Sequence, residues 1–468
     1  MIFHPQQHNK TEGHFCLFGN INAKAHSCLD KDILKTFWHN FGFQSSELNI
    51  SKCNELIFSI GNVSPLPLDG FDYSINIEPA GVCVYAEGEQ ELIRGFMTLL
   101  DRFEAIDHED KTAVKLDCCQ IRDRARIQNR MVHFCIFPET ELWELQRFVR
   151  LCGALKYTHI VLEFWGMLKY DCMKELSWSH GFTKEQIRPI INEAHDLGME
   201  IIPMFNHWGH ASAGRVMHGK HVILDQNPSL QTYFSEDGWC WDIRKPKVKE
   251  LLRHIRNELI ELCGQGGYFH IGCDEAYNFE FTEENMDMLC GFINDISSEM
   301  LDRGRRIIVW GDMMLYHYEH YNPKNRYSCN APTPEVEQYM LNHLNKQLVI
   351  ADWQYHSVEA PIETVSVFKK NGFDCLLCPW DEGKAQISSS LSTVYKQDVM
   401  GFMHTTWHTL TSGMPYVVLM AIGGYENIEA PDFRKARTYA AALLRKVMPA
   451  YGDYEKSGWA KHQIDFKW

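Results

Sequence analysis

The sequence predicts an α/β protein, a (β/α)₈ barrel preceded by a small α+β domain. Three observations carry that prediction. Eight short apolar runs recur between residues 131 and 407, and helical patterns separate them. The first 118 residues have a different rhythm, in which short strands and a helix mix. No glycine-rich phosphate loop follows the first run, which argues against the alternative, an open doubly wound sheet.

The N-terminal region is read over residues 1–118. LIFSI (56–60) is a short apolar run that ends at Gly61. SINIEP and GVCVYAEG form two strands around a turn at Pro79-Ala80-Gly81. ELIRGFMTLLDRF has the spacing of an amphipathic helix. The charged stretch AIDHEDKTAVK (105–115) reads as a connector.

The barrel is assigned to residues 119–430. Its runs are MVHFCIF (131–137), THIVLEF (158–164), MEIIPMF (199–205), GYFHIG (267–272), RIIVWGD (306–312), QLVIADW (347–353), DCLLCPW (374–380) and MGFMHTTW (400–407). Between them lie patterns such as KEQIRPIINEAHDLG and KVKELLRHIRNELIELC. Buried parallel strands read as continuous apolar runs, and each crossover needs a helix. Residues 431–468 open on FRKARTYAAALLRKVM, a helix expected to pack on the barrel.

Composition narrows the function. The chain has 468 residues, of which 46 are basic and 61 acidic, for a formal net charge of −15. That balance argues against nucleic acid or an anionic membrane as the main partner. The N-terminus lacks the basic start and apolar run of a signal peptide, so a cytoplasmic location is expected. The sixteen cysteines are then expected as reduced, mostly buried thiols. Cys375 and Cys378 form a CxxC, but Leu376 and Leu377 place them on a strand, and no further ligands at zinc spacing accompany them.

Barrels of this kind carry their active sites where strands end and loops begin. The strand ends here give Glu163, then Asn206-His207-Trp208-Gly209-His210, then Asp274-Glu275, with Tyr277 beyond them. Later ends give Trp310 and Asp312, Asp352 and Trp353, Trp380 and Asp381, and Trp407-His408. Carboxylates beside a histidine suit acid–base chemistry. Tryptophan closes four successive strands; a sugar's apolar face stacks on such rings while its hydroxyls need fixed polar partners. Each feature also has a structural reading. A strand-end tryptophan packs cores and rims, Asp-Glu pairs occur by chance (a second stands at Asp381-Glu382), and the two histidines of HWGH suit a metal, a core or an acid–base role.

The segment YFHIGCDEAY (268–277) resembles the HxGxDE signature of family 20 glycoside hydrolases, the β-N-acetylhexosaminidases, and is similar to the hexosaminidase D branch. RMVHF (130–134), MEIIPMFNHWGH and IIVWGDMM resemble that branch's first, third and fifth strands. FDYSINIEPAGVCVYAEGEQELIRGFMTLL resembles the small domain before the barrel, so the likeness covers roughly residues 55–425.

That resemblance implies a retaining exo-β-N-acetylhexosaminidase with no metal and no organic cofactor. Asp274 and Glu275 would be its catalytic pair. Asp274 would hold the substrate's acetamide as it attacks, and Glu275 would serve as general acid and base. Glu163, His210, Tyr277, Trp310, Asp312, Trp353, Trp380, Asp381 and Trp407 would bind the sugar. Between the two hexosamines, the branch favours N-acetylgalactosamine.

The sequence departs from the family in three places. FCIFPET lacks the arginine that many members carry after the first strand. Trp165-Gly166 replaces the branch's acidic pair after the second strand, and Asp381 follows Trp380 where a tyrosine is common. Two alternatives stay open: a glycosidase of this fold with another substrate, and a non-catalytic sugar-binding protein.

Overall fold

The computed structural model describes residues 3–42, 46–105, 113–212, 223–380, 384–407, 410–426 and 431–447. The N-terminal unit contains β1 (Gln7–Phe18), β2 (Ile21–His26), α1 (Asp32–Phe41), β3 (Leu48–Cys53), β4 (Ile57–Gly61), β5 (Tyr73–Glu78), β6 (Gly81–Ala86), α2 (Glu89–Leu100), β7 (Glu104–Ala105) and β8 (Ala113–Asp123). Its sheet runs β1-β8-β5-β6-β4-β2-β3, with β7 paired to β8. All pairings are antiparallel except β2 with β3. The expected connector at 105–115 is bounded by strands, since Glu104 and Ala105 pair with Lys115 and Val114. Sheet pairing continues to Asp123, so the expected boundary at 118/119 falls inside β8.

The barrel strands are β9 (Asn129–Cys135), β10 (His159–Glu163), β11 (Glu200–Met204), β12 (Tyr268–His270), β13 (Arg306–Trp310), β14 (Val349–Asp352), β15 (Asp374–Leu377) and β16 (Gly401–Thr406). They close in chain order, each parallel to the next, and β16 returns to β9. Every predicted apolar run overlaps one of them, and β9 starts two residues before its run, at Asn129. The helices are α3 (Leu142–Ala154), α4 (Lys184–Asp196), α5 (Ile223–Gln226), α6 (Pro246–Cys263), α7 (Glu283–Asp302), α8 (Pro334–His343), α9 (Thr364–Lys370), α10 (Lys384–Lys396), α11 (Leu410–Glu426) and α12 (Phe433–Lys446).

Local chemistry sets the helix starts. Thr183 caps α4 in a reciprocal box, its hydroxyl accepting from the Gln186 N–H at 3.3 Å and Gln186 Oε1 accepting from the Thr183 N–H at 2.9 Å. Pro246 and Pro334 stand at first positions, where a missing N–H costs nothing. No helix among the described residues is long and apolar enough to cross a membrane.

Alternation along the strands separates two cores. Met131, Val161, Ile202, Ile308, Val349, Leu376 and Met403 fill the lumen. Val132, Ile160, Ile201, Ile307 and Phe402 face the helices. Cys375 and Cys378 are buried free thiols, as are most of the other fourteen cysteines.

The sheet and the barrel meet at a buried polar knot. Lys156, between α3 and β10, donates from Nζ to Thr98 Oγ1 at 2.6 Å and to the Tyr73 hydroxyl at 3.1 Å. Tyr73 donates to Asp123 Oδ2 at 2.9 Å, and the Tyr425 ring of α11 lies 4.2 Å from the Lys156 nitrogen. Burial lowers the Lys156 amine to about 8. Lys156 is 2% exposed, so its loss strands several buried acceptors. Lys156→Ala should cost about 3 kcal/mol of stability, read as a lower urea midpoint. An unchanged midpoint would show the knot to be energetically idle.

Candidate active site

The loops leaving β10, β11 and β12 bend sharply. Trp165 (φ 48°), His210 (52°), Cys273 (74°) and Glu275 (51°) all adopt left-handed backbone conformations that non-glycine residues rarely hold. Strain of about 1–3 kcal/mol per such residue persists only where surrounding contacts impose it. Two glycines make the bends possible. A Cβ on Gly209 would lie 1.8 Å from the Asp274 carbonyl oxygen, so the turn of HWGH rests directly on the backbone of β12's exit. Gly272 (φ 66°) would bring a Cβ within 1.6 Å of Asn206 Oδ1.

These bends gather three carboxylates and a histidine. His210 Nε2 lies 2.7 Å from Glu275 Oε2 and 3.5 Å from Asp274 Oδ2. The Tyr277 hydroxyl donates to Glu275 Oε1 at 2.6 Å, although its ring is exposed. Asp312 Oδ2 accepts from the Glu275 N–H at 3.0 Å and from Asn330 Nδ2 at 2.9 Å. Its Oδ1 accepts from Trp353 Nε1 at 3.1 Å. Asp274 Oδ1 is buried without a hydrogen-bond partner among the described residues. A buried acceptor in that state costs free energy until a donor arrives.

Aromatic rings complete a cup. Trp407 Nε1 donates to the Tyr355 hydroxyl at 2.6 Å. The Tyr355 ring lies 5.1 Å from Trp353 and 5.2 Å from Trp380. Trp310 differs from the expected wall residue. It is 1% exposed, packs among the lumen side chains, and sits 4.5 Å from His270 and 5.9 Å from Trp407. It forms the floor beneath the cup. Trp353, Trp380 and Trp407 are only partly buried.

Glu163 is 1% exposed and already paired, with His133 Nε2 at 2.9 Å and Asn206 Nδ2 at 2.8 Å. Where the family places an arginine, Phe137 packs with Cys135, Trp165 and Trp407. Asp381 lies outside the described residues. His207 is a fully buried core histidine, with Nδ1 at 2.6 Å from the Phe205 carbonyl oxygen. Among the described residues, no group of three or more His, Cys, Asp and Glu side chains is arranged to hold a metal ion.

Two cup residues escape a reading of strand ends. Trp239 donates from Nε1 to the Glu275 carbonyl oxygen at 2.6 Å and lies 4.7 Å from the His210 ring. It stands far along the loop after β11, where no strand end marks it. Tyr355 is two residues beyond Trp353, and that alternation is a usable signal.

Crowding and burial shape the electrostatics. Burial pushes the Asp274 carboxyl well above the usual carboxylate range; His210 opposes this, while the charges of Asp312, Glu275 and Glu163 add to it. Burial raises Asp312 as well, against hydrogen bonds from Asn330 and the Glu275 amide. An arrangement of one carboxylate with an unpartnered oxygen beside a second, donor-held carboxylate can receive an N–H and move a proton a few ångströms away.

Comparison with known proteins agrees with the barrel. Residues 161–382 match the model of the glycosyl hydrolase family 20 catalytic domain. The chain is 22% identical over 285 residues to a lacto-N-biosidase of Bifidobacterium bifidum, covering 57% of this chain and 22% of that protein. It therefore spans less than a quarter of that relative's length. An exo-β-N-acetylglucosaminidase from Vibrio harveyi superposes with a TM-score of 0.67 at 15% identity, over 95% of this chain and 76% of that one. A Flavobacterium johnsoniae chitobiase gives 0.69 at 15% identity, over 97% and 72%. A Streptomyces plicatus N-acetyl-β-hexosaminidase gives 0.64 at 14% identity, over 97% and 94%. At these identities the structures establish the shared fold.

The raised carboxyls generate a stability prediction. Asp274 and Asp312 ionise near pH 4 in the unfolded chain but hold protons to higher pH when folded. Stability from the neutral forms is therefore complete below about pH 4 and is lost as pH rises through the raised folded values. Asp274→Asn removes one of these groups. The variant should melt several degrees above wild type at pH 7.5, and the two should converge toward pH 4.5. A difference independent of pH would contradict this electrostatic account.

Proposed function

With a family 20 catalytic domain at residues 161–382 as its premise, we propose that the protein is a retaining exo-β-N-acetylhexosaminidase. It removes terminal β-linked N-acetylglucosamine or N-acetylgalactosamine. One observation carries the reading: Asp274 holds a buried, unpartnered oxygen beside Glu275, whose two carboxylate oxygens contact His210 and Tyr277. An acetamido N–H is the donor that Asp274 lacks.

In this mechanism the acetamide oxygen attacks the anomeric carbon while the bond to the leaving oxygen breaks. Glu275 delivers its proton to that oxygen. Asp274 orients the acetamide through its N–H and stabilises the positive charge of the oxazolinium intermediate. Water then attacks the same carbon, the bond from that carbon to the acetamide oxygen breaks to restore the acetamide, and Glu275 takes the water's proton. His210 and Tyr277 hold Glu275 at the scissile bond, and Asp312 fixes its backbone. Trp353 and Trp407 supply faces for the sugar and its acetamide methyl. A second reading, an exo-hydrolase that releases a disaccharide unit, gains support from the lacto-N-biosidase relative.

Aryl glycosides test the proposal. The protein should cleave aryl β-N-acetylhexosaminides and largely ignore the matching glucosides and galactosides. Equal rates on both would overturn it, and activity confined to aryl disaccharides would favour the second reading. Glu275→Ala should keep more activity on activated aryl substrates than on natural-type sugars, with partial rescue by azide. Asp274→Asn should lose roughly 10²- to 10⁴-fold on every substrate, the scale of one positioned electrostatic partner.

A further inference from the structure

We infer that the loop between β13 and α8 carries an outer sugar platform. In it, Tyr318 and Tyr321 stack on the saccharide units attached to the terminal hexosamine. This rests on the hexosaminidase reading and extends it to the leaving group: an oligosaccharide chain rather than a small aglycone.

The observation is a set of costly exposures. Five large hydrophobic residues are exposed among the described residues, and three are tyrosines on the loops leaving β12 and β13: Tyr277 at 55%, Tyr318 at 77% and Tyr321 at 64%. β12 and β13 are neighbours in the barrel, so these loops share one sector of its mouth.

The loop is built rather than slack. It leaves from Asp312 and returns to it, with the Asn330 N–H donating to the Asp312 carbonyl at 2.8 Å and Tyr316 bridging Ala331. Glu337 of α8 accepts the Tyr316 N–H and lies 2.8 Å from His320 Nε2. Lys324 reaches Glu359 at 2.9 Å, and Asn325 Oδ1 accepts the Val358 and Glu359 N–H groups at 3.1 and 2.9 Å. With its base so fastened, the loop holds its aromatic rings in one cluster: His317 lies 5.5 Å from Tyr318 and 5.9 Å from Tyr321.

Phenol rings anchored this way offer apolar faces to C–H groups and hydroxyls to polar rims, the combination a pyranose presents. Continuity with the candidate site selects a saccharide as occupant. The loop starts at Asp312, which holds the Glu275 amide, and the exposed Tyr277 phenol already touches Glu275.

The test is a Tyr318→Ala/Tyr321→Ala double variant. Both changes lie outside the catalytic contacts, and its melting temperature should match wild type. On β-linked tri- and tetrasaccharides ending in N-acetylhexosamine, KM should rise about tenfold at unchanged kcat, the scale of lost aromatic stacking. Activity on an aryl monosaccharide should stay within about twofold, a difference too small to reflect a lost contact. No loss on oligosaccharides, or equal loss on both substrates, would overturn the platform. Calorimetry on a Glu275→Gln background separates the two readings. Affinity should grow from mono- to trisaccharide with the tyrosines present and stay flat without them. A wild type inactive on every hexosaminide would reject the hexosaminidase reading alone, whereas absence of a length-dependent gain in affinity would reject the platform.

Discussion

The hydrogen bond from the Glu275 amide to Asp312, 3.0 Å long, is the constraint on which the rest of the site depends. Glu275 sits at φ 51°, a conformation it would leave without an external hold. Asp312 supplies that hold from the next strand while also receiving Trp353 and Asn330. One carboxylate thus fixes the backbone of the acid–base candidate, one wall of the cup and the return of the β13–α8 loop. The cost is electrostatic. Three carboxylates share a buried space with one histidine, and burial drives two of them toward the neutral form. Positive charge beside them favours the ionised forms that burial opposes, and positive charge is what develops on the sugar in the proposed reaction.

The closed barrel makes that geometry sustainable. Its eight strands bring residues from 163 to 407 to one face, and its lumen of branched and sulfur-containing side chains leaves Trp310 as a firm floor. The N-terminal sheet braces the barrel from outside the site. The Lys156 knot joins α2, β5 and β8 to the barrel, with α11 as the common wall.

Much of this is legible in the sequence, and the reasons are specific. Buried parallel strands are short and continuously apolar, so all eight runs can be read directly. Strand ends mark the mouth of a barrel, which is why His210, Asp274, Glu275, Asp312 and Trp353 group together on sequence position alone. Depth is not legible. Trp310 and Trp407 look alike in the sequence, yet one is floor and the other wall, because Trp310 is the last residue of β13 while Trp407 lies just beyond the end of β16. Trp239 is invisible because it arrives on a long excursion after β11. A boundary at 118 cuts strand β8 because its charged and polar residues hide the alternation that pairing with β1 and β5 reveals. Glu163 reads as a sugar ligand, but its pairing with His133 and Asn206 requires three strands to meet.

The central claim is that Asp274 works through the substrate's acetamide. The most direct measurement follows the anomeric proton of the first product by NMR as an aryl β-N-acetylhexosaminide is hydrolysed. Two displacements at one carbon predict initial release of the β-anomer, with the α-anomer appearing only by later mutarotation. Initial release of the α-anomer would contradict acetamide participation, and with it the role given to Asp274.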